Sequence, residues 1–434
     1  MVQGGPNMIF VIEGTEWGDE GKGKITDYLA RRMDIVVRHQ GGNNAGHSVV
    51  VDGVRYALQS LPSGITHENI TNVIANGCVI NPKALIEEIS RVKDNGVKRF
   101  NLLISNRAHI IMPYHIDLDG AYEEVLKKDK IGTTKKGIGP CYMDKMARIG
   151  LRMGDLLEPA YLKERLEDAL AIKNVELQAF GEKPYEFDPL YKDLLKYGET
   201  LKPYITDTSM FLNKAIEEKK NILFEGAQAN MLCIENGTYP YVTSSSPLAS
   251  SVPLDAGIPA KYITNVIGIL KAYATRVGEG PFVTELNNEL GDKIRDIGHE
   301  YGTVTKRPRR IGYLDLVIVK QAVRLSGMSY LAIMLLDVLT SLNPLMICIG
   351  YSLNGREIDY VPSTISEVSR CKPIYKEFKG WSKDLTGAKS FAELPKECQD
   401  YLSFIENYLH TPIALISVGP ERDKTIIKEN MFHD

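Results

Sequence analysis

Between residues 8 and 38 the chain runs from a strand, through a glycine-rich loop, into a helix and a second strand. Met8-Ile9-Phe10-Val11-Ile12 is a continuous apolar run, as expected of a strand covered on both faces. The loop from Gly14 to Gly23 follows it. Lys24 to Met33 then sets Ile25, Tyr28, Leu29 and Met33 at helical spacing, and Asp34 to Arg38 reads as a second strand. A strand, a helix and a strand in that order form a βαβ unit, which commits the fold to a parallel sheet. The strand–helix junction is also where backbone N–H groups and the helix dipole hold anions.

The loop Gly14-Thr15-Glu16-Trp17-Gly18-Asp19-Glu20-Gly21-Lys22-Gly23-Lys24 is not a Walker A motif. That motif has about four residues between its first glycine and the Gly-Lys pair, and Ser or Thr after the lysine. Here six residues intervene before Gly21-Lys22, and Gly23 follows. Lys22 and Lys24 can neutralise phosphate, and Asp19 can replace the missing hydroxyl as an oxygen ligand for a hard cation. A second loop, Gln40-Gly41-Gly42-Asn43-Asn44-Ala45-Gly46-His47-Ser48, follows the second strand. Loops after parallel strands meet at one sheet edge, so Asp19 and His47 are expected to face one pocket, a pairing suited to proton transfer.

Further along, Asp52-Gly53 between two β-rich runs predicts a hairpin over Val49 to Leu58. Asn81 and Gly96 bracket a predicted helix from Pro82 to Lys93. Strands are expected at Val73–Ala75, Leu102–Ile104, Asn221–Phe224, Tyr262–Leu270, Tyr330–Leu336, Leu345–Ile349 and Ile413–Ile416, and helices at Tyr313–Leu325 and Cys398–Leu409. Residues 153–220 are charged, rich in Leu and Lys and free of strand runs, and read as a helical insertion. No linker or repeat divides the 434 residues. The expectation is one α/β domain over 1–434, with a single large, mostly parallel sheet flanked by helices and small antiparallel hairpins.

Composition narrows the function. A balance of 52 basic and 55 acidic residues, a formal charge of −3, argues against a nucleic-acid binder working by bulk charge. No apolar run reaches the roughly 18 residues of a membrane span, and the N-terminus lacks a basic, apolar leader. Cys78, Cys141, Cys233, Cys348, Cys371 and Cys398 form no C-x-x-C pair, so reduced thiols in a cytoplasmic protein are expected.

The two loops, W-G-D-E-G-K-G-K and Q-G-G-N-N-A-G-H, together resemble those of adenylosuccinate synthetases. The likeness continues at Leu61–Ile65, Ile131–Pro140, Phe224–Gln228, Gly237–Ser245, Ala274–Gly278 and Ser417–Pro420. It implies a homodimeric ligase of AMP biosynthesis that makes adenylosuccinate, GDP and phosphate from IMP, L-aspartate and GTP through 6-phosphoryl-IMP. By the same resemblance Asp19 is the base, His47 the acid and Lys22 a phosphate contact. Asp19 and the Gly46 carbonyl hold one Mg²⁺ per subunit. IMP is met by Asp19, Glu20, Gly21, Lys22, Asn44, Ala45, Gly46, His47, Thr134, Gln228, Thr243 and Arg307, with Arg148 donated across the dimer. GTP is met by Gly18 to Lys24, Gly46, His47, Ser48, Arg309, Leu335, Leu336, Asp337, Ser417, Val418 and Gly419, with Asp337 accepting from guanine. Thr303, Val304, Thr305, Lys306, Arg307, Pro308 and Arg309 form the mobile aspartate loop, where arginine forks suit a dicarboxylate. Pro308 breaks the all-arginine version of this run, and Leu335 stands where some relatives carry lysine.

Three rivals predict different residues. A guanine-nucleotide switch gives no reason for Asp19, His47 and the arginine run together. A relative acting on another purine nucleotide is expected to lack the catalytic Asp. An NAD enzyme would place G-x-G-x-x-G after the first strand, and none is there.

Overall fold

The structure, a computed structural model, describes residues 7–51, 54–126, 130–302 and 307–432. Ile9–Gly14 is a strand buried at every position. It lies in the middle of an eleven-stranded sheet. Across the sheet the order is Thr425–Ile427, Ile413–Ser417, Tyr330–Met334, Asn265–Lys271, Ile9–Gly14, Ile222–Glu225, Ile35–Gly41, Thr71–Ile80, Asn101–Ser105 and Ile205–Thr206, with His109–Ile110 pairing beside Thr71–Ile80. Only Thr425–Ile427 runs antiparallel. Val11 sits opposite Val266 on one side and Phe224 on the other, so apolar side chains stack across neighbouring strands. Burial on both faces explains why these strands read as unbroken apolar runs rather than alternating ones.

The first helix spans Lys22–Ala30, two residues earlier than its apolar spacing suggests, because Gly21 in the left-handed region lets the chain turn into it. The helix Pro82–Asp94 follows its sequence signals closely. Asn81 Oδ1 accepts from the Ala84 amide at 3.1 Å, and Leu85, Ile89 and Val92 face the core. Burial of each such side chain contributes about 1.5–3 kcal/mol. Two helices, Pro113–Leu126 and Ile138–Ala147, were not expected from periodicity.

The stretch 153–220 holds three helices, Pro159–Ala179, Phe187–Leu201 and Thr208–Glu217. It is not strand-free. Ile205–Thr206 adds to the sheet edge beside Ile104–Ser105, so this region is built onto the main sheet. A two-residue strand carries too little alternation to register in sequence. The hairpin strands are His47–Val51 and Val54–Leu58; Asp52-Gly53 lie outside the described residues. A smaller sheet joins Leu345–Leu353 to Leu314–Asp315, Arg356–Ile358 and Lys372–Phe378. Because the main strands are parallel, the loops after Gly14, Gly41, Glu225, Lys271, Met334 and Ser417 all emerge at one edge.

Candidate functional site

The loop after Gly14 is shaped by a buried carboxylate. Glu20 is turned inward and accepts from the Gly18 amide at 2.8 Å, the Glu16 amide at 3.2 Å and Lys22 Nζ at 2.7 Å. A Cβ at residue 14 would lie 2.4 Å from Glu20 Oε2, so any larger residue there would displace the Glu20 carboxylate. Asp19 takes a positive φ of 60°, which an aspartate tolerates better than most residues, and this aims its carboxylate outward. No side chain caps the helix that begins at Lys22. The Lys22 and Gly23 N–H groups of its first turn are therefore available to an anion, whereas that of Lys24 donates to the Gly21 carbonyl at 3.2 Å.

A cleft of about 1060 Å³ opens here. Gly18, Asp19, Gly21, Lys22, Gly23 and Lys24 form one wall, and Asn44 to Ser48 another. Thr134, Gln228, Thr243 and Arg309 close it from four further segments. Arg309 Nε lies 3.0 Å from Asp19 Oδ2. His47 Nε2 lies 3.4 Å from Glu225 Oε1, and Glu225 is itself fixed by the Ser63 amide at 2.9 Å and hydroxyl at 2.7 Å. Burial, opposed by Glu225, pushes the His47 pKa down to about 4, so the ring is neutral at pH 7. Both amide atoms of Gln228 are buried without a hydrogen-bond partner among the described residues. Such atoms are rare in finished interiors and mark places where a ligand's polar groups fit.

The remaining expected residues lie outside this lining. Ser417 Oγ and the Gly419 carbonyl each receive Lys24 Nζ at 2.7 Å. Lys24 is pushed down to about 8 by burial, with Asp337 opposing. Asp337 follows Leu335, itself at φ 59°, and its buried Oδ1 has no partner among the described residues. Leu335, Leu336, Asp337, Ser417, Val418 and Gly419 thus lie on the loops that follow two sheet strands, next to the phosphate-type loop. Arg148 is exposed at the C-terminal end of Ile138–Ala147, at φ 63°, and does not line its own chain's cleft. Arg307 and Pro308 are exposed, with Arg307 3.9 Å from Glu279. Thr303 to Lys306 lie outside the described residues; the chain on either side is tied by the Gly302 amide on the Arg307 carbonyl at 2.8 Å.

Sequence reasoning assigned no part to Glu225, Arg276, Lys271 or Glu300. Arg276 is buried at the cleft wall, 5.3 Å over the Trp17 ring, and its guanidinium donates to the Pro281 carbonyl at 2.5 Å and Thr238 Oγ1 at 3.2 Å. Burial brings its pKa down to about 9. Lys271 and Glu300 form an ion pair at 2.7 Å directly behind Arg309. Glu225 and Arg276 stand in motifs that were legible, Lys271 and Glu300 do not, and the partners of all four were not legible.

Among the described residues no three His, Cys, Asp or Glu side chains are grouped to hold a metal. A lone exposed carboxylate at Asp19 next to the phosphate-type loop still fits Mg²⁺, which takes one or two carboxylates and completes its shell from phosphates and water. No helix among the described residues is long and apolar enough to cross a membrane. All six cysteines are free, and all but Cys371 are buried.

Glycine-bound loops, an uncapped helix start and clustered cations at one edge of a parallel sheet define a nucleotide-handling enzyme of the α/β class. The sequence model of the adenylosuccinate synthetase family matches residues 11–426. The adenylosuccinate synthetase of Limosilactobacillus reuteri is 51% identical over 96% of this chain and 97% of its own, and that of Lactiplantibacillus plantarum 50% over 97% and 99%. The solved adenylosuccinate synthetase of Plasmodium falciparum superposes with a TM-score of 0.91 at 39% identity, covering 98% of this chain and 100% of its own. The succinoaminodeoxyadenylate synthetase of cyanophage S-2L, at 19% identity and a TM-score of 0.63, shares the fold. The chain belongs to the adenylosuccinate synthetase family. It is a GTP-dependent ligase of AMP biosynthesis that joins L-aspartate to IMP.

Proposed function

We propose that the reaction runs on Asp19 and His47, and that the whole chain acts as one domain working in the cytoplasm. The observation that carries this reading is that both side chains border one cleft, Asp19 paired with Arg309 and His47 with Glu225. Asp19 takes the N1 proton of IMP, and the electron pair moves to O6. O6 then attacks the γ-phosphorus of GTP, and GDP leaves. The aspartate amine attacks C6 of the 6-phosphoryl intermediate and expels phosphate. Negative charge arriving at O6 and the phosphoryl group favours the protonated form of His47, which then has one N–H for Glu225 and one for the substrate. Lys22, Lys24 and the first-turn N–H groups hold phosphate oxygens. Asp19 and the Gly46 carbonyl would hold Mg²⁺, which would supply charge neutralisation to the phosphates.

Asn44, Thr134, Gln228 and Thr243 hold IMP, Asp337 reads guanine, and the segment from Thr303 to Arg309 holds aspartate. Arg148 serves the site of a partner subunit in a homodimer, a reading supported by its exposure and by Met143 and Met146, which are 51% and 74% exposed on the same helix. With IMP, aspartate, GTP and Mg²⁺ the purified protein is expected to form adenylosuccinate and release one phosphate per turnover. GTP hydrolysis without adenylosuccinate would overturn the mechanism. Mixing inactive Arg148→Leu and Asp19→Ala chains restores activity if sites are shared; no recovery after verified subunit exchange removes the sharing.

A further inference from the structure

Glu300 is one of the most thoroughly occupied carboxylates in the molecule. Its side chain is 2% exposed and receives three donors: Lys271 Nζ at 2.7 Å and Tyr273 hydroxyl at 2.6 Å on Oε1, and Arg309 Nη1 at 2.6 Å on Oε2. Burial alone would push this carboxyl up, but Lys271 and Arg309 outweigh it and hold it below its usual value. It is therefore a fixed anion between two cations. One of these, Lys271, ends the central strand Asn265–Lys271, is 1% exposed and also donates to Thr275 Oγ1 at 2.7 Å. The other, Arg309, reaches Asp19 with its Nε at 3.0 Å.

The backbone adds a second tie between the same residues. The Arg309 amide donates to the Glu300 carbonyl at 2.9 Å, and Arg295 Nε caps the Arg309 carbonyl at 2.9 Å. Residue 300 in turn donates its amide to the Arg295 carbonyl at 2.9 Å, at the end of the helix Glu289–Ile297. Both ends of the segment 301–308 are thus pinned on residue 300. Without this frame, Arg309 would be a long side chain with many rotamers beside the reacting carboxylate, and a misplaced cation there disturbs the geometry that proton removal needs.

We infer that Glu300, seated on Lys271, is a positioning residue: it transmits the rigidity of the central sheet to Arg309 and so fixes the guanidinium that orients Asp19. The inference rests on the reading that Asp19 is the proton acceptor. It extends that reading by adding a residue that touches neither substrate nor reacting atoms. Rigid support of a site by a second layer of charged partners is what preorganisation requires.

A double-mutant cycle tests it. Glu300→Gln, Arg309→Gln and the double variant are assayed for kcat and for KM of each substrate, with melting temperature and nucleotide binding by calorimetry as checks on folding. Glu300→Gln is expected to lower kcat about a hundredfold while KM for IMP stays within about threefold. In the Arg309→Gln background the same change is expected to cost no more than about threefold further, because its effect passes through that arginine. Losses that multiply, or a Glu300→Gln enzyme with kcat within threefold of wild type, overturn the inference. Should Glu300→Gln not fold, Tyr273→Phe removes one donor and leaves both ion pairs. It is expected to lower kcat by about threefold alone and to be silent beside Arg309→Gln, and any other pattern counts against the inference. Asp19→Asn run alongside separates the two readings: if it turns over normally, the parent reading fails whatever the cycle gives, whereas an inactive Asp19→Asn with a multiplicative cycle removes only Glu300.

Discussion

Two buried ionic networks differ in how they end. One links Lys271, Glu300, Arg309 and Asp19, and its last member is an aspartate whose side chain is 33% exposed on the cleft. The other packs His115, Asp144, Lys173 and Glu176 between helices. His115 Nε2 meets Asp144 at 2.8 Å, and Lys173 bridges Asp144 at 2.5 Å and Glu176 at 2.8 Å. Even Tyr122, which borders the cleft, gives its hydroxyl to Glu176. The closed network binds helices to one another. The open one ends on a carboxylate exposed to the cleft, and that difference separates architecture from site even though both are built from the same kinds of side chain.

The sharpest way to break the comparison is to remove each network's defining charge. Asp19→Asn is expected to lose about a thousandfold in turnover, within the range for a general base, with melting temperature and calorimetric nucleotide binding retained. An active variant would strip the open end of its meaning. Lys173→Met should do the reverse. Leaving Asp144 buried without its cation is expected to cost about 3–5 kcal/mol in urea unfolding, with kcat of the folded enzyme within about twofold. A stable but inactive Lys173→Met protein would make the closed network part of the site.

A carboxylate outside both networks sharpens the contrast because it has hydrogen-bond donors and no ion-pair partner among the described residues. Glu13 accepts from Asn230 Nδ2 at 3.0 Å and the Ala249 amide at 2.7 Å, yet burial raises its pKa to about 7. Its folded pKa lies above the ordinary 4.5, so the stabilising contribution of the protonated form is complete below that value and is lost as pH rises through 7. Unfolding followed from pH 5 to pH 8 should show wild type losing stability relative to Glu13→Gln, the smallest of the three effects. Parallel curves would mean that its two N–H donors hold Glu13 ionised as well as a cation would.

These networks also mark what was legible in the chain. The central strands were, because burial on both faces writes itself as an apolar run, and so were the two glycine-rich loops, whose spacing excluded Walker A and suggested a shared edge. Lys372–Phe378 was not, since a half-exposed strand with lysines and a proline carries no clear alternation. Nor was Ile205–Thr206. The partners of the site residues were hidden for a different reason. Glu225 faces His47 because strand order brings them together, and Glu300 faces Lys271 because the helix Glu289–Ile297 returns the chain to the end of strand Asn265–Lys271; a single sequence shows no trace of either. Lys173 looked like one more solvated charge in a helical stretch and is 3% exposed.

The pairing of Lys24 with Ser417 carries a consequence in time. The two residues are 393 positions apart. The first strand also waits, since its neighbours Ile222–Glu225 and Asn265–Lys271 are made more than two hundred residues after it. During synthesis Lys24 of the phosphate-type loop stays without this partner until nearly four hundred further residues have been made. A nascent or truncated chain can therefore carry the nucleotide loop without a working pocket, and the enzyme becomes competent in one late step rather than by degrees.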